Sequence, residues 1–419
     1  MSEVGLECKL ARNYTLENVP NALAYLLIKV IPDSSINFGA LPINLGLVID
    51  VSRSMRGKKI ECARDAAKLV VNSLRADDYV SITTFSDEAM VIVPSTKAIE
   101  KDAIVSSLDK IHIISGTRMY HGMEAGAREM HKVRIGSTIN RMILLTDGMT
   151  EGEDRCCAIA GQEAENKVAI SAFGIGDKYN EELLIEIADK TLGTFYHLRA
   201  PEQIIEQFQK EVGLASASVI SDVTLSLNLV KDVELEEMYR IFPSSVKLQP
   251  RVEADGKIIS VEVGNLRKDE QTCFGAQLRL PARPASRVRI AQVFVSYNIP
   301  SLQIEDRVVK SDVIVEYTSA RDLCGKVDRE VVAYFNQLNA HKLIEQAIKE
   351  TKLGNVSAAT QILSQAQLIT QRIGNVALTK SIEQATQELK EKGAISSEAV
   401  KTVRAGSGQT VRVEKTDLV

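Results

Sequence analysis

Asp50, Ser52 and Ser54 stand at alternate positions directly after the apolar run Leu45-Gly46-Leu47-Val48-Ile49. In an extended loop, residues two apart project the same way, so one carboxylate and two hydroxyls can converge on a point. Such oxygens suit a hard divalent cation better than a catalytic nucleophile. The competing reading is local: helix caps use the same residue types, so Ser54 could merely cap the helix that follows. Two further segments offer oxygen donors. Thr117 lies in Ser115-Gly116-Thr117-Arg118-Met119-Tyr120, and Asp147 in Leu144-Leu145-Thr146-Asp147-Gly148. Asp50 and Asp147 each end an apolar strand, and ligands of open parallel sheets gather beyond the carboxyl ends of strands. If those two strands are neighbours, both carboxylates face one pocket.

These residues must be positioned by a chain of 419 residues, too long for one ordinary core, so two or three domains are expected. A net charge of −4 carries no basic bias, which argues against a nucleic-acid or membrane-surface partner. The six cysteines, Cys8, Cys62, Cys156, Cys157, Cys273 and Cys324, are scattered without a Cys-x-x-Cys pair. Reduced thiols in a cytosolic protein are expected rather than a disulfide framework or a zinc site. The first residues lack a basic flank and a long apolar core, so no signal peptide is expected, and no apolar run is long enough to span a bilayer. A cytoplasmic location follows as an expectation.

Along the chain, Val4 to Tyr14 and Asn21 to Ile31 read as two strands, the second ended by the turn Ile31-Pro32-Asp33. From about Ile43 the pattern changes to strands separated by helical segments, the signature of an α/β fold. Helices are expected at 58–74, 97–108, 120–132, 154–167 and 181–189. Strands are expected at 79–85, 141–146, 168–175 and 193–198, with a weak antiparallel edge at 88–94. Pro201 opens an amphipathic helix through about Val212. Residues 218–319 hold short alternating segments punctuated by turns, as in an antiparallel sandwich. From Asp328 to Lys392 the periodicity is helical, with breaks near Gly354-Asn355 and Gly374-Asn375.

The Asp-x-Ser-x-Ser-Met stretch from Asp50 to Met55, followed in order by the Thr117 and Asp147 segments, resembles the von Willebrand factor A domain family over about residues 41–214. The resemblance implies a doubly wound, mostly parallel, Rossmann-like sheet. It also implies a metal-ion-dependent adhesion site, a MIDAS, carried by Asp50, Ser52, Ser54, Thr117 and Asp147. In the family the hydroxyls usually ligate directly and a carboxylate often acts through water. An ion held by so few protein ligands, Mg²⁺ or Mn²⁺, keeps an open position that an aspartate or glutamate of a partner can fill. That is binding, not catalysis. Arg53 departs from the pattern, standing where many members have glycine, and adds a cation at the rim.

The layout is similar to bacterial relatives of the inter-alpha-trypsin inhibitor heavy chain type. It implies an interrupted sandwich: residues 1–40 supply strands that join it, 41–216 form the A domain, and 217–322 complete the sandwich. Residues 323–392 are then a helical region and 393–419 a flexible tail. Two N-terminal strands cannot bury a face alone, which supports this division. Related bacterial proteins work beside kinases, phosphatases and phosphothreonine-binding modules, so Thr416 is a phosphorylation candidate, although a plain disordered tail is the favoured reading. Two other functions share the site. A cell-surface adhesin needs an export signal, and a magnesium-dependent hydrolase needs a base or nucleophile at the pocket, where His121 is the one nearby group. A metal-dependent interaction scaffold, not an enzyme, is the expectation.

Overall fold

The computed structural model describes residues 3–36, 38–133, 138–253 and 258–413. The chain divides into two units, one of Met1–Asn37, Ile220–Ile299 and Gln303–Val419, the other of Phe38–Val219 with Pro300–Leu302. The first unit begins with β1 (Val4–Leu10), β2 (Tyr14–Leu16) and β3 (Ala22–Pro32). β1 lies antiparallel on β3. The expected continuous strand through Tyr14 is instead broken after Leu10: Tyr14–Leu16 leave that sheet and run parallel to residues 316–318 of the other. Asn18 and Asn21, both at φ 58°, then turn the chain back, a conformation that asparagine tolerates.

The second unit follows as β4 (Ile43–Asp50), α1 (Lys58–Ser73), β5 (Tyr79–Phe85), β6 (Ala89–Lys97), α2 (Lys101–Leu108) and α3 (Met119–Met130). It continues as β7 (Ile139–Thr146), α4 (Glu153–Glu165), β8 (Ala169–Ile175), α5 (Glu181–Lys190), β9 (Phe195–Leu198) and α6 (Gln203–Ser216). The sheet order is β6-β5-β4-β7-β8-β9. Its pairs are parallel except β5 with β6. Every residue of β4 is buried, as a central parallel strand covered on both faces requires. Ile60, Ala67, Val70, Phe208 and Val212 of α1 and α6 pack on one face, and Met123, Met130, Ala160 and Ile187 of α3 to α5 on the other. Gly126 lets α3 approach β4 closely, because a Cβ there would lie 2.6 Å from Val48 Cγ2. Glu211 of α6 is buried yet satisfied, accepting from Ser171 Oγ at 2.6 Å and Tyr196 Oη at 2.8 Å. α2 starts at Lys101 rather than Lys97, because β6 continues through Lys97.

The chain then returns to the first unit with β10 (Ser218–Leu229), β11 (Glu234–Phe242), β12 (Val246–Lys247) and β13 (Arg251–Val252). β14 (Ile258–Arg267), β15 (Thr272–Leu280), β16 (Ser286–Ile299) and β17 (Ile304–Thr318) complete its strands. The two sheets are ordered β1-β3-β15-β11-β12 and β13-β14-β10-β16-β17-β2. β3 pairs with β15 over Ala22 to Val30, so the N-terminal strands complete a sheet begun long after the α/β unit has been inserted. β11 was not expected from the sequence. Glu234, Glu236 and Glu237 obscure its pattern, but Glu236 pairs with Arg279, and Glu237 with Lys247 and Lys342, while Met238–Phe242 are buried.

The helices are α7 (Arg321–Cys324), α8 (Arg329–Lys352), α9 (Val356–Arg372), α10 (Val376–Lys392) and α11 (Ser397–Gly408). Gly354 at φ 79° and Gly374 at φ 75° end α8 and α9, the left-handed stop that glycine accommodates. The expected flexible tail from 393 is a correction: helical structure does not stop at 392. Ser396 Oγ accepts from Ala399 N at 3.3 Å to start α11, and Val403 joins Ile344, Leu363 and Leu389 in one core. Val411 N then donates to Gln337 Oε1 at 2.9 Å, and Thr410 Oγ1 to the Ile241 carbonyl at 2.6 Å. The polar composition concealed an apolar stripe too short to stand out. Thr416 lies outside the described residues. Among those described, no helix is long and apolar enough to cross a membrane.

Candidate metal centre

β4 and β7 are neighbouring parallel strands, with Ile49 opposite Leu145, so Asp50 and Asp147 emerge side by side at the carboxyl edge of the sheet. The backbone between Asp50 and Ser54 is not a free loop. Ser52 N donates to Asp50 Oδ1 at 2.7 Å, and the second carboxylate oxygen accepts from Thr146 Oγ1 at 2.7 Å. Ser52 Oγ and Ser54 Oγ lie 3.0 Å apart, and Ser54 Oγ donates to Asp147 Oδ1 at 2.6 Å. Thr117 arrives from a third segment, pinned where Ile114 N donates to the Val51 carbonyl at 2.8 Å and Arg118 N to the Ser86 carbonyl at 2.7 Å. A Cβ added to Gly148 would lie 3.8 Å from Ser54 Oγ and 3.9 Å from Thr117 Oγ1, so both hydroxyls border the same spot. All five residues singled out in the sequence therefore gather beyond the ends of two adjacent strands.

The capping alternative can be judged directly. The single 3₁₀ turn over Arg53–Met55 has Ser52 before it, and α1 has Gly57 before it, and neither end receives a side-chain cap. The serine hydroxyls are spent on each other and on Asp147. The carboxylates form a buried floor, Asp50 fully enclosed and Asp147 nearly so, whereas Ser54 and Thr117 reach solvent at the mouth. Burial pushes the Asp50 carboxyl up to about 6, outweighing the hydrogen bonds from Thr146 and Ser52, and the charge of Asp147 adds to the rise. A buried acid that gives up its proton reluctantly, beside a second acid, is an arrangement that a divalent cation relieves. Among the described residues no group of three or more His, Cys, Asp or Glu is gathered for a metal. The donor set here is instead two carboxylates and three hydroxyls, which is hard-cation chemistry.

Two participants went unrecognised in the sequence. Thr146 holds Asp50, and Lys59 Nζ is ion-paired to Asp147 Oδ2. The one available signal was a lysine in the first turn of a helix, where acids are preferred. The rim groups prove to be occupied with loop contacts: Arg118 Nε lies 3.3 Å from Glu151, and His121 Nδ1 lies 2.7 Å from the Asp87 carbonyl. Arg53 is exposed, and Ile114 and Met149 present apolar surface on the loops that carry Thr117 and Asp147.

Gly116 fixes the approach of Thr117. It sits at φ 94°, and a Cβ there would lie 2.1 Å from Asp87 Cγ. Gly116→Ala carries a left-handed backbone penalty of roughly 1–2 kcal/mol besides the clash. The loop is expected to shift and weaken Mn²⁺ uptake roughly tenfold or more, while far-ultraviolet circular dichroism stays unchanged. Calorimetric titration with MnCl₂ checks this.

Residues 44–211 match the von Willebrand factor type A domain, and residues 329–413 the Sll0103-like, C-terminal alpha-helical domain. Residues 44–211 thus carry a von Willebrand factor type A domain, as the Asp50 and Asp147 segments suggested, and such domains commonly mediate protein–protein interaction. It is similar to protein sll0103 of Synechocystis sp., 26% identical over 292 residues that cover 67% of this chain and 68% of that protein. It is also similar to inter-alpha-trypsin inhibitor heavy chain H3 of Mus musculus, 33% identical over 125 residues, 27% of this chain but 14% of the heavy chain. The solved structure of the von Willebrand factor type A protein from Catenulispora acidiphila superposes with a TM-score of 0.85 at 18% identity, over 98% of this chain and 97% of that one. That likeness establishes the fold: an α/β unit, antiparallel sheets and a helical region.

Proposed function

We propose that the protein is a metal-dependent interaction scaffold whose α/β unit recognises an aspartate or glutamate of a protein partner. Asp50, Ser52, Ser54, Thr117 and Asp147 would hold Mg²⁺ or Mn²⁺, and a bound ion supplies an electrophilic corner for the incoming carboxylate. The observation that carries this reading is the use of the serine hydroxyls. Ser52 and Ser54 are withheld from helix capping: Ser54 Oγ donates to Asp147, and Ser52 Oγ lies against Ser54 Oγ. Thr146 and the Ser52 amide orient Asp50, while exposed Arg53 adds positive charge where an acidic partner would approach. Ile114 and Met149 offer apolar surface beside it. We read the site as one of binding, because two carboxylates and three hydroxyls form a hard-cation donor set. We place the protein in the cytoplasm, a setting that suits its six unpaired cysteines.

The test is capture of partners from a cell extract by the immobilised full chain in Mg²⁺ or Mn²⁺, with and without chelator. A defined partner that is retained with metal and released by EDTA supports the proposal, and blocking its acidic residue should abolish capture. Retention that ignores EDTA would overturn it.

A further inference from the structure

We propose that Lys59 is a resident counter-charge of this centre, weakening its hold on the ion alone and making ion uptake depend on an acidic ligand. The inference rests on the metal reading of the site and adds a regulator to it. α1 opens with Lys58 and Lys59, although the positive end of a helix dipole disfavours cations in the first turn. Each lysine is turned to an acid. Lys58 lies 3.3 Å from Glu202, an exposed and weak pair. Lys59 is different, because the side chain of its partner Asp147 is 0% exposed. Both oxygens of that carboxylate are therefore engaged, Oδ1 by Ser54 Oγ and Oδ2 by Lys59 Nζ.

Charge balance gives the consequence. Asp50 and Asp147 with the Lys59 ammonium carry one formal negative charge together. A divalent ion converts that to one positive charge, and a partner carboxylate brings the centre to neutrality. Without Lys59, the ion alone neutralises the two acids, and a further carboxylate meets a centre with no charge to offer. Lys59 thus works against the ion by Coulomb repulsion and favours the acid by the same interaction.

The experiment titrates MnCl₂ into the full chain by calorimetry, in chloride and then in acetate at matched ionic strength. It compares the native protein with Lys59→Met, Lys59→Gln and Lys59→Arg. Gln keeps a donor for Asp147 without the charge, and Arg keeps the charge. Met and Gln should each bind Mn²⁺ roughly tenfold tighter or more, and Arg should resemble the native chain. Acetate should tighten Mn²⁺ binding several-fold in the native chain and in Arg, but little in Met or Gln. Thermal melts in EDTA add a readout that needs no ion: Met should melt below the native chain, and Mn²⁺ should restore it. A native chain that binds Mn²⁺ while Met and Gln bind equally or more weakly would overturn the role of Lys59 and leave the metal centre standing. If only Met and Gln take up Mn²⁺, the proposal holds in its strongest form. If none of the four does, both readings fall.

Discussion

Asp50→Ala is expected to cost the proposed centre most of its affinity for Mg²⁺ and Mn²⁺, and with it the metal-dependent association proposed for the site. The expectation follows from what Asp50 does in the site. It supplies one of two buried carboxylates, and no other His, Cys, Asp or Glu is grouped there to replace it among the described residues. Alanine also leaves the Ser52 amide and the Thr146 hydroxyl without their present acceptor, at about 1–3 kcal/mol for each buried donor left unsatisfied. The Ser52–Ser54 segment would then relax, moving the hydroxyl donors as well. Loss of affinity by roughly a hundredfold or more is expected. Calorimetric titration with MnCl₂ checks it, and an unchanged affinity would remove Asp50 from the centre. A melt in EDTA must accompany it, so that loss of binding is not confused with loss of fold.

The more conservative Asp50→Asn should uncouple binding from stability, with opposite signs for the two. In the metal-free protein the Asp50 carboxyl is raised to about 6 by burial, against about 4 in an unfolded chain. Folding thus favours the protonated acid. Its contribution is fully present below pH 4 and is lost as pH rises through 6, leaving a buried charge that opposes folding at pH 7. The two-unit difference corresponds to about 3 kcal/mol. Asparagine has the same shape: its carbonyl can accept from Ser52 N, and its amide can donate to a reoriented Thr146 hydroxyl. In EDTA at pH 7, Asp50→Asn should therefore melt higher than the native chain, by roughly 5 °C or more, and the gap should close by pH 4. Saturating Mn²⁺ should raise the native chain alone. Equal melting temperatures at pH 7 and pH 4 would show that burial of Asp50 carries no such penalty. A functional site held at a cost to the metal-free fold is a familiar trade.

Much of the α/β unit was legible because its strands are near-continuous apolar runs and its helices keep a clean apolar spacing. β4, α1, β7 and β8 stand close to where periodicity put them. Elsewhere the signal was diluted. β11 carries three glutamates, and two of them, Glu236 and Glu237, are paired with Arg279, Lys247 and Lys342 from other elements, pairings that have no trace in local sequence. α11 was hidden by a polar, glycine-containing composition, and its stability comes from Val403 meeting Ile344 and Leu389. β2 changes sheet because it finds a parallel partner in β17, a choice made by the second sheet rather than by Tyr14–Leu16.

The chain's own order of residues determined which oxygens could serve a cation: Asp50, Ser52 and Ser54 at alternate positions, with Asp147 at the end of a second apolar strand. It also determined that this segment would follow a buried strand, since Leu45-Gly46-Leu47-Val48-Ile49 is an uninterrupted apolar run. Whether the serines cap a helix or face the second acid was decided only in three dimensions, by the pairing of β4 with β7 that brings Asp147 to Ser54. The raised proton affinity of Asp50 and the engagement of Lys59 are likewise tertiary. Burial and charge act through space, and the groups that set them lie 88 or more residues apart along the chain.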